Sequence, residues 1–216
     1  MRKTIINVNS EAIKHLSSVD DKFMILYRLI GEISYQTNRD PFSSIIETII
    51  GQMLSNKVAK IFRDRLVKIC STGKIDVSSV KKLSIIELRN TGISNSKAKY
   101  ILDFASSYNI SDYSSKKLFN LTDDEIIKQI TLHKGLGMWS AKMFLIFVLC
   151  RENILPYEDV AFMQSFTWYN GLTSTPSVDK IKMICRKWSP YNSIAARYLY
   201  KALDIGLTKS PFSSYM

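Results

Sequence analysis

Apolar residues recur with a helical period along nearly the whole chain, and this pattern constrains the fold more than any other feature. The segment that Asp20 could cap carries such a stripe, formed by Phe23, Leu26, Tyr27, Ile30 and Ile33. Asp40-Pro41 is typical of a helix start, and Ser84–Glu87 and Thr122–Glu125 each match a capping box. Because no segment stands out with the alternation of a strand, the sequence predicts an all-α protein of about ten helices without a sheet.

The charge of the chain is unusual for its size. Lysine and arginine number 30 against 19 acidic residues, which gives a formal net charge of +11 over 216 residues. Such a balance attracts polyanions, either nucleic acid or an anionic membrane surface. Since 46% of the residues are apolar, we expect one folded domain over residues 1–216, with room for two lobes.

Other functional classes are disfavoured by what the sequence lacks. The longest apolar run, Met143–Cys150, is too short to span a bilayer, and the basic start does not resemble a signal peptide. We therefore expect no membrane association and a cytoplasmic location, with the nucleoid if the source is a prokaryote. Cys70, Cys150 and Cys185 are too widely spaced for a zinc ribbon or an iron–sulfur cluster.

Two glycines mark a tight turn between helical segments. Gly135 and Gly137 flank Leu136, and glycine permits positive φ and a close approach of the backbone to a ligand. The first turn of the next helix offers unpaired N–H groups and a positive dipole end, which can bind a phosphate oxygen. An ordinary helix–turn–helix corner is the alternative interpretation.

A carboxylate follows the helix that begins at this turn. Pro156 breaks that helix, and Asp159 is then placed to cap the next one, a role worth about 1 kcal/mol. Beside a phosphate-binding turn an anion is unfavourable for binding alone. It becomes useful if a reaction develops positive charge on a sugar. Asp159 can cap the helix and supply this anion at the same time.

Several blocks of the sequence resemble the helix-hairpin-helix DNA glycosylase superfamily, and within it bacterial 3-methyladenine DNA glycosylase II. They occur in family order over about residues 12–207, and comprise Ile50–Ser55, Leu88–Ala98, Lys134–Ala141, Leu155–Asp159 and Arg186–Tyr198. The resemblance implies a two-lobed all-α fold with a cleft between the lobes. The hairpin would span about residues 122–150, one lobe the middle helices (about 42–150), and the other lobe the terminal segments. It would be the compact form, without an N-terminal β-rich domain.

The resemblance also implies roles for individual residues. Asp159 would be the catalytic aspartate, with Glu158 as the obvious substitute. The base pocket would include Trp139, Tyr191, Met143, Gln52 and Trp188. The DNA contacts would come from Lys134, Gly135, Leu136, Gly137 and Met138, with Met53 or Leu54 as a wedge that enters the duplex. Core packing is the alternative for Trp139, Trp188 and Leu54.

Two details of the hairpin bear on its chemistry. Members that also cleave the backbone carry a lysine where this chain has Trp139, so the resemblance implies hydrolysis of the glycosidic bond alone. Family hairpins often bind a monovalent cation through backbone carbonyls, which by position would be those of Thr131, His133 and Gly135. The implied cofactor is therefore at most a structural Na⁺ or K⁺.

Together these features predict a monofunctional glycosylase that flips alkylated purines of the 3-methyladenine or 7-methylguanine type out of DNA and hydrolyses their N-glycosidic bond, in base excision repair. Its partner would be double-stranded DNA with a damaged base, bound by a monomer. A glycosylase for oxidised or deaminated bases and a DNA-binding module without catalysis are the alternatives.

Overall fold

The computed structural model describes residues 2–37 and 39–216 and is mostly helical, which confirms the predicted fold class. Within these residues there are two strands, β1 (Arg2–Ile6) and β2 (Ile33–Thr37). The first seven helices are α1 (Glu11–Val19), α2 (Asp21–Ile30), α3 (Pro41–Gly51), α4 (Asn56–Ile69), α5 (Val77–Val80), α6 (Ile85–Asn90) and α7 (Asn95–Ser107). The remaining α-helices are α8 (Ser115–Asn120), α9 (Asp123–Thr131), α10 (Met138–Phe147), α11 (Val160–Tyr169), α12 (Val178–Cys185) and α13 (Asn192–Asp204). Short 3₁₀ turns cover Arg186–Trp188, Leu207–Lys209 and Phe212–Tyr215.

The chain divides into two compact units. The terminal unit joins the N-terminal segment up to Thr37 with Cys150–Met216, and the central unit is the intervening chain up to Leu149. Helices α3 to α10 therefore belong to the central unit, and the strands with α1, α2 and α11 to α13 belong to the terminal unit. The single domain over residues 1–216 stays a prediction.

The prediction of a fold without any sheet is wrong. Strands β1 and β2 form an antiparallel ribbon, with Lys3 opposite Gln36 and Ile6 opposite Ile33. Ile33 was assigned to the helical stripe of α2, but that helix ends at Ile30 and Gly31 follows it with φ +75°. The Arg197 guanidinium lies 3.9 Å from the centre of the Tyr35 ring. Packing against α13 therefore supports a strand too short to show a clear alternation.

Local helix signals in the sequence are mostly confirmed. The Asp40 side chain accepts the Ser43 N–H at 2.7 Å, and both predicted capping boxes form, at Ser84 with Glu87 and at Thr122 with Glu125. Asp20 is the exception. It precedes α2, but its side chain makes no cap hydrogen bond and has other partners in the core.

Each unit has its own core. In the terminal unit, α11 and α13 pack together and bury Phe162, Phe166 and Tyr198. In the central unit, α10 packs on α3 and α9, and the rings of Phe42 on α3 and Phe104 on α7 stack with centroids 5.7 Å apart. No helix within the described residues is long and apolar enough to cross a membrane.

Candidate active site and DNA-binding hairpin

The hairpin consists of α9, α10 and the turn between them (Leu132–Gly137). Gly135 adopts φ +86°, and a Cβ built on it would lie 2.2 Å from Cδ2 of Tyr100. Glycine is thus required here both by the backbone conformation and by the packed ring. Gly137 has φ −106°, so the expectation of positive φ holds for only one of the two glycines. No atom lies within 4 Å of a Cβ built on Gly137, which leaves open space in front of its backbone.

The side chains of the hairpin point in different directions. Leu136 is only 5% exposed and anchors the turn in the core, so any contact that it makes with DNA must come from its backbone. Lys134 and Gly137 are exposed, and Met138 is 43% exposed. The start of α10, at Gly137 and Met138, is therefore open to solvent beside a basic residue, as a phosphate site requires.

His133 is a turn residue held by aromatic neighbours. Its Nε2 lies 2.8 Å from the Tyr113 hydroxyl, and its ring meets Phe104 edge to face with centroids 4.9 Å apart. Burial lowers the pKa of His133 and raises the pKa of Tyr113 to about 12. These contacts fix the shape of the hairpin and give His133 a structural role.

Two of the three predicted cation ligands accept a hydrogen bond within the chain. The Gly135 carbonyl accepts the Gln52 side-chain amide, with Nε2 2.7 Å from the oxygen, and the His133 carbonyl accepts the Leu136 N–H at 3.1 Å. Each carbonyl oxygen has a second lone pair. Binding of a cation by the carbonyls of Thr131, His133 and Gly135 therefore stays a prediction.

The turn between α3 and α4 carries the candidate wedge, and we refer to it as the Met53 turn (Gln52–Ser55). Met53 is fully exposed, at 100%, and adopts φ +57°. Leu54 is partly buried, and its N–H donates to the Gly51 carbonyl at 3.0 Å. Of the two wedge candidates, Met53 is the one that projects into solvent.

The side chain of Gln52, a predicted base-pocket residue, donates to the hairpin. In addition to the bond with the Gly135 carbonyl, Nε2 lies 3.4 Å from the Ser140 hydroxyl oxygen. Both donor positions of the amide thus point at the hairpin. The assignment of Gln52 to the base pocket stays a prediction, and its contacts join the Met53 turn to the hairpin.

Trp139 and Met143 lie one turn apart on α10, and both are partly exposed. Between them, Ser140 and Ala141 are buried. Residues four apart lie on one helix face, so Trp139 and Met143 share a partly open face, as expected for a pocket wall.

Asp159 caps α11 in the terminal unit, as predicted from its position after Pro156. Its Oδ1 accepts the Phe162 N–H at 2.8 Å. The pKa of Tyr200 on α13 is raised, first by burial and then by the charge of Asp159. Glu158 also raises that pKa, whereas Arg197 lowers it. The carboxylate is thus fixed by its own helix and bordered by a buried phenol.

Trp188 is a core residue, so its assignment to the base pocket is wrong. It is 1% exposed, and its Nε1 donates to Oδ2 of Asp20 at 2.9 Å. Lys187 pairs with the same oxygen at 3.1 Å. Tyr191, the other aromatic candidate, is partly exposed, and its ring centroid lies 5.5 Å from that of His15.

Three residues near these features escaped the sequence analysis. Tyr100 packs on Gly135, Tyr200 neighbours Asp159, and the Lys97 ammonium donates to the carbonyls of Ile50 and Gln52. Lys97 and Tyr100 lie on α7, far in sequence from their partners, so no spacing rule could identify them. Tyr200 could have been noticed as a polar group on the apolar face of α13.

Comparison with known proteins places these features in a family. A sequence family described as "HhH-GPD superfamily base excision DNA repair protein" matches residues 46–190, which is more than half of the chain. The chain is 26% identical over 211 residues to DNA-3-methyladenine glycosylase 1 of Schizosaccharomyces pombe, covering 93% of this chain and 90% of the relative.

Two solved structures are similar over nearly their whole length. A DNA-3-methyladenine glycosidase from Bacillus halodurans matches with a TM-score of 0.78 and 25% identity, covering 98% of this chain and 96% of the other. The 3-methyladenine DNA glycosylase of Schizosaccharomyces pombe in complex with abasic DNA matches with a TM-score of 0.80 and 25% identity, covering 90% and 97%. The chain belongs to the HhH-GPD superfamily of base excision DNA repair proteins.

Proposed function

We propose that this protein is a monofunctional DNA glycosylase that hydrolyses the N-glycosidic bond of alkylated purines. The observation that carries the proposal is the fixed carboxylate of Asp159, which caps α11 in a chain of the HhH-GPD superfamily. Relatives with the name DNA-3-methyladenine glycosylase support the choice of alkylated purines.

The chemistry follows from the charge of the substrate. A 3-methylated or 7-methylated purine is cationic, so it leaves the sugar without a strong general acid. The sugar then develops oxocarbenium character, and a preorganised anion stabilises that charge. Asp159 supplies such an anion, because its hydrogen bond to the Phe162 N–H at 2.8 Å holds it in place. It can also orient the attacking water.

An aromatic wall selects for the cationic base. Trp139 occupies the position where lyase members of the superfamily carry the nucleophilic lysine, and its indole is partly exposed. A flipped cationic purine gains cation–π attraction from an electron-rich ring. Tyr191 is the second candidate ring, and Met143 extends the Trp139 face. Without an amine at position 139 the reaction ends at an abasic site with an intact backbone.

The hairpin and the Met53 turn serve DNA binding in this proposal. Backbone N–H groups at the start of α10 bind a phosphate, which fixes position without reading sequence. Met53, fully exposed, is the wedge that fills the stack while the damaged nucleotide is extruded. We expect a monomer to bind one lesion in double-stranded DNA.

A panel of duplexes with single damaged bases tests the proposed function. We expect release of 3-methyladenine and 7-methylguanine, and strand cleavage only after hot alkali. Release of 8-oxoguanine or a deaminated base instead would show a different substrate class, and strand cleavage without alkali would contradict the monofunctional assignment. DNA binding without release of any base would identify a module that only binds.

A further inference from the structure

The Met53 turn is held in a conformation that its sequence does not favour. Met53 has φ +57°, and a residue with a Cβ loses roughly 1–2 kcal/mol in the left-handed region. Its side chain is fully exposed, so its own packing cannot repay that cost. Strained backbone of this kind persists where surrounding contacts determine it, and it clusters at functional sites.

Lys97 makes the contacts that determine the turn. Its Nζ donates to the Ile50 carbonyl at 2.8 Å and to the Gln52 carbonyl at 2.6 Å. Ile50 provides one of the last four carbonyls of α3, and the N–H that would normally pair with it, that of Leu54, donates to the Gly51 carbonyl instead. The lysine therefore satisfies a carbonyl left unpaired by the turn.

The charge of Lys97 suits this place. A cation at the C-terminal end of a helix is favoured by the helix dipole, and the two bonded carbonyls, those of Ile50 and Gln52, both lie just before Met53. The side chain is only partly exposed, and burial lowers the pKa of the ammonium. The cost of that burial is offset by the two hydrogen bonds that the charged ammonium donates.

Gln52 extends the network to the hairpin. Its carbonyl accepts from Lys97, while its side chain donates to the Gly135 carbonyl at 2.7 Å. One residue thus connects the ammonium, the base of the wedge and the turn proposed to grip phosphate. All of these residues lie in the central unit.

We propose that Lys97 is a positioning residue, which holds the Met53 turn in the shape that enters duplex DNA and, through Gln52, fixes the wedge relative to the hairpin. The inference rests on the proposed function for the role of Met53 as a wedge. It assigns Lys97 to extrusion of the base and not to cleavage of the glycosidic bond.

The first test measures unstacking without catalysis. A duplex with a tetrahydrofuran abasic analogue beside 2-aminopurine becomes more fluorescent when a wedge separates the stack. At saturating protein, Lys97→Met should give less than about half of the rise seen with wild type, because two charge-assisted hydrogen bonds are lost. Met53→Ala should show the same deficit, and Lys97→Arg should restore part of the signal because it keeps a charged donor.

Lys99→Met is the matched control, since it removes the same charge from an exposed position on the same helix. It should give the wild-type fluorescence rise. An equal loss in Lys97→Met and Lys99→Met, or a full rise with Lys97→Met at saturation, would overturn the inference. The melting temperature of each variant is recorded. If Lys97→Met does not fold, Lys97→Gln takes its place, and Lys97→Arg remains the variant that keeps the charge. A fluorescence rise below about half of wild type for Lys97→Gln, with part of it restored in Lys97→Arg, supports the inference, and a full rise for Lys97→Gln overturns it.

The second test compares excision from duplex and single-stranded DNA that carry the same methylated base. Under single-turnover conditions Lys97→Met should slow excision from the duplex about ten-fold, and slow excision from the single strand less than about two-fold, because a single strand has no base pairs to open and its bases are extruded more easily. Equal losses on both substrates would indicate a merely structural role. If wild type releases no methylated base, the proposed function fails, and the fluorescence test still decides the role of Lys97.

Discussion

Replacing Gly135 by alanine should destabilise the hairpin, and the structure gives the size of the effect. The residue has φ +86°, and its new Cβ would lie 2.2 Å from Cδ2, 2.5 Å from Cγ and 2.7 Å from Cε2 of Tyr100. The left-handed backbone costs roughly 1–2 kcal/mol for a residue with a Cβ. Overpacking against the ring adds roughly 1–3 kcal/mol, because the clash involves the inner ring atoms and the whole side chain must move.

The two contributions can be separated by urea denaturation of the wild type, Gly135→Ala, Tyr100→Ala and the double variant. Gly135→Ala should lower the free energy of unfolding by about 2–5 kcal/mol in the wild-type background. In a Tyr100→Ala background the same change should cost only the backbone share, about 1–2 kcal/mol, because the ring is gone. The difference between the two backgrounds measures the steric contact.

Gly137→Ala provides the matched control within the same motif. With φ −106° and no atom within 4 Å of the added Cβ, it should lower the free energy of unfolding by less than about 1 kcal/mol. Its affinity for duplex DNA should fall, because the methyl group occupies the open space before the phosphate-binding backbone. The reasoning is refuted if Gly135→Ala is as mild as Gly137→Ala, or if Tyr100→Ala leaves its cost unchanged.

Two further predictions concern the core and the charge. Asp20→Ala should lower the free energy of unfolding by about 2 kcal/mol, because the Trp188 N–H loses its charged acceptor. Asp21→Ala, at the exposed neighbouring position, should lower it far less. Equal urea midpoints for the two variants would refute the assigned role of Asp20. The logarithm of the DNA-binding constant should fall with the logarithm of salt concentration by roughly 0.9 per phosphate contacted, and a flat response in a binding titration would remove the electrostatic part of the account.

Features that depend on neighbouring residues could be predicted from the sequence. The capping boxes at Ser84 and Thr122 form as expected, because each needs residues only three positions apart. The cap at Asp159 was predicted for the same reason. The family resemblance then gave these local elements a common fold, since its blocks occur in order along the chain.

Features that depend on distant partners could not be predicted. The strand β2 pairs with a segment about 30 residues earlier in the chain, and too few residues alternate to reveal it. Trp188 matches a family block, but its burial against Phe166, with ring centroids 5.8 Å apart, depends on helices that the sequence does not place. Gln52 likewise has a family position, whereas its bond to the Gly135 carbonyl is visible only in the folded chain.

The central claim is that catalysis requires the negative charge of Asp159. Asp159→Asn tests it most directly because asparagine caps helices as well as aspartate does. The measurement is the single-turnover release of 3-methyladenine from methylated duplex DNA, with the melting temperature recorded beside it. Asp179→Asn, an exposed carboxylate in the first turn of α12, serves as the control. We predict an unchanged melting temperature and a loss of at least about 100-fold in rate for Asp159→Asn alone. A rate for Asp159→Asn within two-fold or so of wild type would contradict the account, since the cap would then be the whole role of Asp159.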